Sequence, residues 1–148
     1  MRITQEADYA LRICALLAQA DIPVGAPQLA AELSVPSRFT SKILRKLMLA
    51  GVVSSTRGVN GGFSLKLSAK ELTLKRVIEA VDGVIAIRHC LVPEHNCGYQ
   101  PKKSSCRFHR VFEELNTIIT SRLDLLSVAD MVDADIPIGE LTERLYKF

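Results

Sequence analysis

Residues 52–67 hold the pattern that most restricts this chain. Val52-Val53-Ser54-Ser55-Thr56-Arg57 and Phe63-Ser64-Leu65-Lys66-Leu67 are extended segments, the second with clean alternation, and Gly58-Val59-Asn60-Gly61-Gly62 lies between them. Asparagine and glycine both tolerate positive φ, so Asn60-Gly61 predicts a β-hairpin. The preceding residues are helical. Over residues 4–20 the side chains of Ala7, Ala10, Leu11, Cys14, Leu17 and Ala18 recur at helical spacing behind a Thr4 cap, and Pro23 and Gly25 end the pattern. Pro27 opens a short second helix through Gln28, Leu29, Ala30 and Leu33, since proline is tolerated in a first turn. Ser34-Val35-Pro36-Ser37 makes a turn, Ser37 caps a third helix running to Ala50, and Gly51 stands where a left-handed C-terminal residue is wanted. Helix, short helix, tight turn, helix and hairpin together predict a winged helix-turn-helix.

Downstream, Thr73 caps a fourth helix through Leu74, Val77, Ile78 and Val81 that stops at Asp82-Gly83. Residues 88–105 lack periodicity and read as a loop. A long helix then starts near Cys106 or Arg107, with Val111, Phe112, Leu115, Ile118, Ile119, Leu125 and Leu126 as its apolar stripe. Some 20 residues at 1.5 Å each span about 30 Å, more than a lobe of this size can cover, so the stripe calls for a second subunit. A break at Ile136-Pro137 precedes one more short helix. The expected fold class is therefore mainly α: a winged helix-turn-helix domain (1–83) with a two-stranded wing, a cysteine-containing loop (84–106), and a long dimerisation helix with its tail (107–148).

Charge points to a partner. Residues 1–70 carry nine Lys/Arg against four Asp/Glu, whereas residues 71–148 carry ten against twelve, and the stretch 33–70 has seven basic residues and no acid. Such a footprint suits a polyanion, with nucleic acid the first candidate. On the third helix Arg38, Ser41, Lys42 and Arg45 fall at i, i+3, i+4 and i+7 behind Ser37, while Phe39, Ile43 and Leu47 fall on the adjoining apolar face. This presents polar groups to a major groove of double-stranded DNA, and Arg57 in the wing is placed to reach phosphate or minor groove. The alternative for one helix alone is a merely solvated basic face; the turn, the acid-free stretch and the hairpin argue against it. Gly58, Gly61 and Gly62 do not make a phosphate loop, because G-x-x-x-x-G-K is absent and no helix follows directly.

Catalysis finds no support: there is no G-x-S-x-G, no H-E-x-x-H, and no pair of carboxylates whose spacing implies convergence. The longest uninterrupted apolar stretch, residues 13–18, is far below the roughly 18 to 20 residues of a membrane span. The first ten residues carry Arg2, Glu6 and Asp8. A cytoplasmic protein with no signal peptide or membrane anchor is expected.

Four cysteines remain. Cys14 sits on the stripe of the first helix and reads as a buried thiol. Cys90, Cys97 and Cys106 are separated by six and eight residues, with His109 three positions after the last. Three clustered thiols in a reducing compartment suggest metal or redox chemistry before disulfides. Structural zinc as Cys3His, an iron-sulfur cluster, and plain buried or redox thiols are all compatible with the spacing, although no C-x-x-C knuckle is present. The helix dipole with Lys102, Lys103, Arg107 and Arg110 would offset thiolate charge. His89 and His95 flank the loop, and Asp8 is most simply a favourable charge at the start of the first helix.

Several blocks resemble the Rrf-two family of winged-helix regulators, which includes the iron-sulfur regulators IscR, NsrR and RirA. These are Met1-Arg2-Ile3-Thr4 with Asp8-Tyr9-Ala10-Leu11-Arg12, Lys42-Ile43-Leu44-Arg45-Lys46-Leu47, Ala50-Gly51-Val52-Val53-Ser54-Ser55-Thr56-Arg57-Gly58, Gly61-Gly62-Phe63-Ser64-Leu65, and Ile78-Glu79-Ala80-Val81-Asp82-Gly83. The resemblance covers residues 1 to about 130. It implies a homodimeric transcription factor on a pseudo-palindromic operator, with long helices crossing at the dimer interface. An iron-sulfur cluster, of two-iron or four-iron form, would be held by Cys90, Cys97 and Cys106, sensing iron-sulfur, redox or nitric oxide status. A fourth ligand is implied at His109 or, from the partner subunit's first helix, at Asp8. The alternatives are a zinc-stabilised or cluster-free winged-helix regulator or interaction module responding to thiol oxidation or a protein partner. Phe39 and Thr40 stand where family members usually show tyrosine and leucine, and the cysteine intervals are wider than in most cluster-binding members.

Overall fold

In the computed structural model, which describes residues 3–95, 97–98 and 103–146, the described residues form seven α-helices and a two-stranded wing. Helix α1 (Gln5–Gln19) begins behind Thr4, whose Oγ1 accepts from the Ala7 amide at 3.1 Å, and ends where the chain turns extended at Ala20. Its inward face is Ala7, Ala10, Ile13, Cys14 and Leu17. The two alanines let neighbouring helices approach closely while the longer side chains fill the space beyond them. α2 (Ala26–Glu32) starts with proline in its first turn, and α3 (Ser37–Leu49) follows after a turn in which Ser34 takes a left-handed φ of 53°.

Ser37 is not the cap of α3. Pro36 occupies the cap position, no side chain caps the helix, and Ser37 is its first residue. The inward face of α3 also differs by one position from the sequence reading. Thr40, Ile43, Leu44 and Leu47 are buried, whereas Phe39 is exposed. Thr40 can take the core position because its hydroxyl donates to the Pro36 carbonyl one turn back, at 3.4 Å, which reduces the cost of burying a polar group.

After Gly51, at φ 70°, strand β1 (Val53–Thr56) pairs antiparallel with β2 (Gly62–Leu65), matching Val53 to Leu65 and Thr56 to Gly62. The hairpin is present, but it does not turn on Asn60-Gly61. Residues 57–61 form a five-residue tip in which Gly58, at φ 113°, is the left-handed residue, and neither Asn60 nor Gly61 has positive φ. Gly61 is required for another reason: a Cβ there would meet the Thr56 carbonyl oxygen at 2.3 Å. Beyond β2, Val24 forms a short antiparallel bridge to Phe63, with paired hydrogen bonds of 3.0 and 2.9 Å, so the α1–α2 connection anchors the wing.

Helix α4 (Leu74–Asp82) is capped by Thr73 and stopped by Gly83 at φ 79°. A loop with two 3-10 turns, at His89–Leu91 and Lys103–Ser105, leads to α5 (Arg107–Leu125). Helices α6 (Val128–Val132) and α7 (Ile138–Tyr146) follow. The tail returns to the core: Leu74 N–H donates to Leu126 O, Val128 N–H to Leu72 O, and Val128 is fully buried. Ser127 and Asp130 form a reciprocal capping box on α6, and Arg144 of α7 grips Asp130 at 2.8 Å.

The wing geometry makes a specific demand. Gly61→Ala should lower stability by about 1–3 kcal/mol, since backbone must move to admit the methyl, whereas Asn60→Ala should stay within about 0.5 kcal/mol. Urea unfolding of the two variants distinguishes this tip from a turn that needs positive φ at Asn60.

Candidate DNA-reading face and cysteine cavity

Helix α3 presents Ser37, Arg38, Ser41, Lys42 and Arg45 to solvent, opposite its four buried residues, and Arg57 is exposed at the end of β1. Docking in a groove needs this arrangement: an apolar seam fixes the helix to the core and leaves cations and hydroxyls outward. One member is already engaged. Lys42 pairs with Glu6 in the first turn of α1, and Lys46, one turn further along α3, reaches the second Glu6 oxygen at 2.5 Å and the Val81 carbonyl at 2.6 Å. The hydrogen bonds from Lys42 and then Lys46 hold the Glu6 carboxyl below the ordinary carboxylate range, against a smaller opposing effect of desolvation. Thr4 Oγ1 donates to the Asp82 carboxylate at 2.7 Å, so the start of α1 is tied to both α3 and the end of α4.

The second region lies where the loop meets α5. Cys90, Cys97 and Cys106 line one cavity of about 280 Å³ together with Arg88, Lys103, Phe108 and His109. Cys106 is the N-terminal cap of α5, its Sγ accepting from the His109 amide at 3.5 Å. His109 is the only buried side chain of α5. Its Nδ1 has no hydrogen-bond partner among the described residues, and its Nε2 faces Glu113 Oε1 at 3.9 Å. A buried polar atom without a partner is costly, and in native proteins it commonly marks a place where something else binds. Arg88 sits over the rings of Phe108 and Phe112, 5.7 and 5.2 Å from their centroids, which holds a cation beside the sulfurs. Lys102, invoked from sequence for the same purpose, lies outside the described residues.

The sulfurs share the cavity without closing on one point: no group of three or more His, Cys, Asp or Glu is gathered at metal-binding distance among the described residues. Asp8 is not part of the cavity; it pairs with Arg12 at 2.9 Å. The His89 and His95 rings lie 6.1 Å apart, outside the lining. Cys14 is fully buried in the core, and burial pushes its thiol up to about 12.

Residues 3–134 match the family model Rrf2, iron-dependent transcriptional regulator. The chain belongs to the Rrf2 family. An Rrf2-like HTH-type transcriptional regulator of Rhodobacter capsulatus is 33% identical, with 95% of this chain and 99% of that protein aligned. The transcriptional regulator IscR of Aliivibrio salmonicida is 30% identical over 92% of this chain and 80% of its own. Among solved structures, CymR, the global cysteine regulator of B. subtilis, superposes with a TM-score of 0.71 at 20% identity, covering 89% of this chain and 96% of CymR. The Rrf2 protein described here is thus a winged-helix transcriptional regulator and not an enzyme. None of its described helices is long and apolar enough to cross a membrane.

The two thiol environments should separate chemically. In native, metal-stripped protein a soluble alkylating reagent should modify Cys90 and Cys106 while sparing Cys14, which should react only on unfolding. Peptide mass mapping reads the pattern, and native modification of Cys14 would contradict the burial described.

Proposed function

We propose that the protein is a homodimeric DNA-binding regulator that senses iron-sulfur, redox or nitric oxide status through a cluster held by Cys90, Cys97 and Cys106, with His109 as fourth ligand. The observation that carries this reading is a cavity lined by three cysteines and by His109, whose buried Nδ1 has no hydrogen-bond partner among the described residues. Thiolate and imidazole form a suitable donor set for iron-sulfur centres, and Arg88 and Lys103 offset the negative charge such a site accumulates. When bound, the cluster would supply redox and ligand-exchange chemistry. The chain's own part is positional: Cys106 and His109 lie one turn apart on the first turn of α5, and Glu113 stands behind the imidazole as an orienting carboxylate. Asp8 could contribute only from a second copy, an extra geometric condition.

The long helix supports the dimer. Val111, Leu115, Ile118 and Leu125 are exposed along α5, an apolar face that burial against a second α5 would remove from water. Two winged lobes would then read two half-sites of a pseudo-palindrome through α3, with Arg57 on the backbone. A cluster held by the cysteines would tie residues 90–106 to the start of α5, and its release would let the lobes tilt. A cluster-free, thiol-responsive reading is the alternative, favoured by the lack of a closed three-ligand group among the described residues.

Fluorescence anisotropy with operator DNA selected by the protein tests the sensing step. Cluster-loaded and cluster-free protein should differ in affinity by about tenfold or more, equivalent to about 1.4 kcal/mol of coupling, and equal affinities would overturn it. Arg57→Ala and Arg45→Ala should each make the salt dependence shallower by about one unit of slope per lost phosphate contact. His109→Ala should change the visible spectrum of the loaded protein and Asp8→Ala should not; the reverse would move the ligand role to Asp8. A monomer at micromolar concentration in sedimentation would refute the dimer.

A further inference from the structure

The Glu6 contacts have a consequence for DNA binding. In an otherwise basic DNA-facing region, one carboxylate from α1 reaches across to α3 and takes two of its lysines. The two partners are not equivalent. Lys46 is held twice, by Glu6 and by the Val81 carbonyl, and its side chain is 35% exposed. Lys42 is 55% exposed and stands on the outward stripe with Arg38, Ser41 and Arg45. The Glu6 side chain is only 21% exposed, so the ammonium groups replace much of its contact with water.

We propose that Glu6 is a built-in competitor of the DNA backbone, which neutralises Lys42 in the unbound protein and so limits the sequence-independent part of DNA affinity. The inference rests on the reading of α3 as the DNA-facing helix. A phosphate that approaches Lys42 must draw the ammonium from a carboxylate already in place, and it meets the negative charge of Glu6 behind it. Lys46 keeps its second anchor and remains a brace between α3 and α4. Glu6 therefore acts as an affinity-setting residue through Lys42, without touching DNA itself. Sequence-independent binding is the term such a device restrains most directly, because phosphate contacts dominate it. A regulator that must leave non-specific DNA to find an operator gains from that restraint.

The test needs no operator. Binding of the full-length protein to a mixed-sequence duplex of about 30 base pairs is measured across a salt series for the parent, Glu6→Gln, Glu6→Asp, and Lys42→Met alone and combined with Glu6→Gln. Glu6→Gln, which keeps the shape and removes the charge, should tighten binding roughly 3- to 10-fold at about 50 mM salt and steepen the slope by about one unit. Glu6→Asp, which keeps the charge, should retain the parental slope. In the Lys42→Met background Glu6→Gln should add no slope. An unchanged or shallower slope for Glu6→Gln overturns the proposal, as does a full gain without Lys42. Arg45→Ala and Arg57→Ala separate this failure from a deeper one: if they flatten the slope while Glu6→Gln does nothing, only the role of Glu6 fails. If they too have no effect, the DNA-facing assignment of α3 fails, and this inference with it.

Discussion

The winged lobe is packed on α1. Its inward stripe of Ala7, Ala10, Ile13, Cys14 and Leu17 lies at the centre of the core, against α3, α4, α6 and β2. Burying side chains of this kind contributes about 1.5–3 kcal/mol for each large residue, and the small residues set how close the other helices come. Because α3 docks on this stripe through Thr40, Ile43, Leu44 and Leu47, its outward face is fixed as well. The face proposed to read DNA is thus set by core packing. The same helix supplies Thr4 and Glu6, which tie its first turn to Asp82 at the end of α4 and to Lys42 and Lys46 of α3.

Helix α5 stands apart from that core in a useful way. Only His109 is buried along it, although its stripe is as apolar as that of a core helix. On the proposed function, this exposed face is the one a second subunit would cover. The buried residue lies at the end where the cysteine cavity forms, while Asn116 holds the backbone of Ile85 and Ile87 and Leu123 packs against the core further along the helix.

Much of this was readable from residue order. The helix-turn-helix and wing follow from apolar periods of 3.6 and 2 with proline and glycine at their ends, and the 19-residue length of α5 follows from its stripe. What escaped depends on partners distant in sequence or on backbone detail. Thr40 rather than Phe39 faces inward because the packed face of α3 is centred on Thr40, Leu44 and Leu47, and apolar character alone could not choose between two adjacent positions. Gly61 is needed for clearance from Thr56, which composition cannot distinguish from a need for positive φ. The Val24–Phe63 bridge, the return of Val128 into the core and the capture of Lys42 by Glu6 join residues far apart in the chain. Within the cysteine site, spacing showed which thiols belong together, but the orphaned nitrogen of His109 appears only when α5 is placed against the loop.

On the proposed function, the cavity of Cys90, Cys97, Cys106 and His109 holds an iron-sulfur cluster. Its most direct test is the visible absorption spectrum of anaerobically purified protein, taken with iron, sulfide and zinc counts per chain, for the parent, Cys97→Ser and Cys14→Ala. Iron and sulfide together with sulfur-to-iron charge-transfer bands are expected in the parent and in Cys14→Ala, and their loss in Cys97→Ser. Zinc without sulfide, a metal-free colourless parent after reconstitution with iron and sulfide, or a fully loaded Cys97→Ser protein would contradict it.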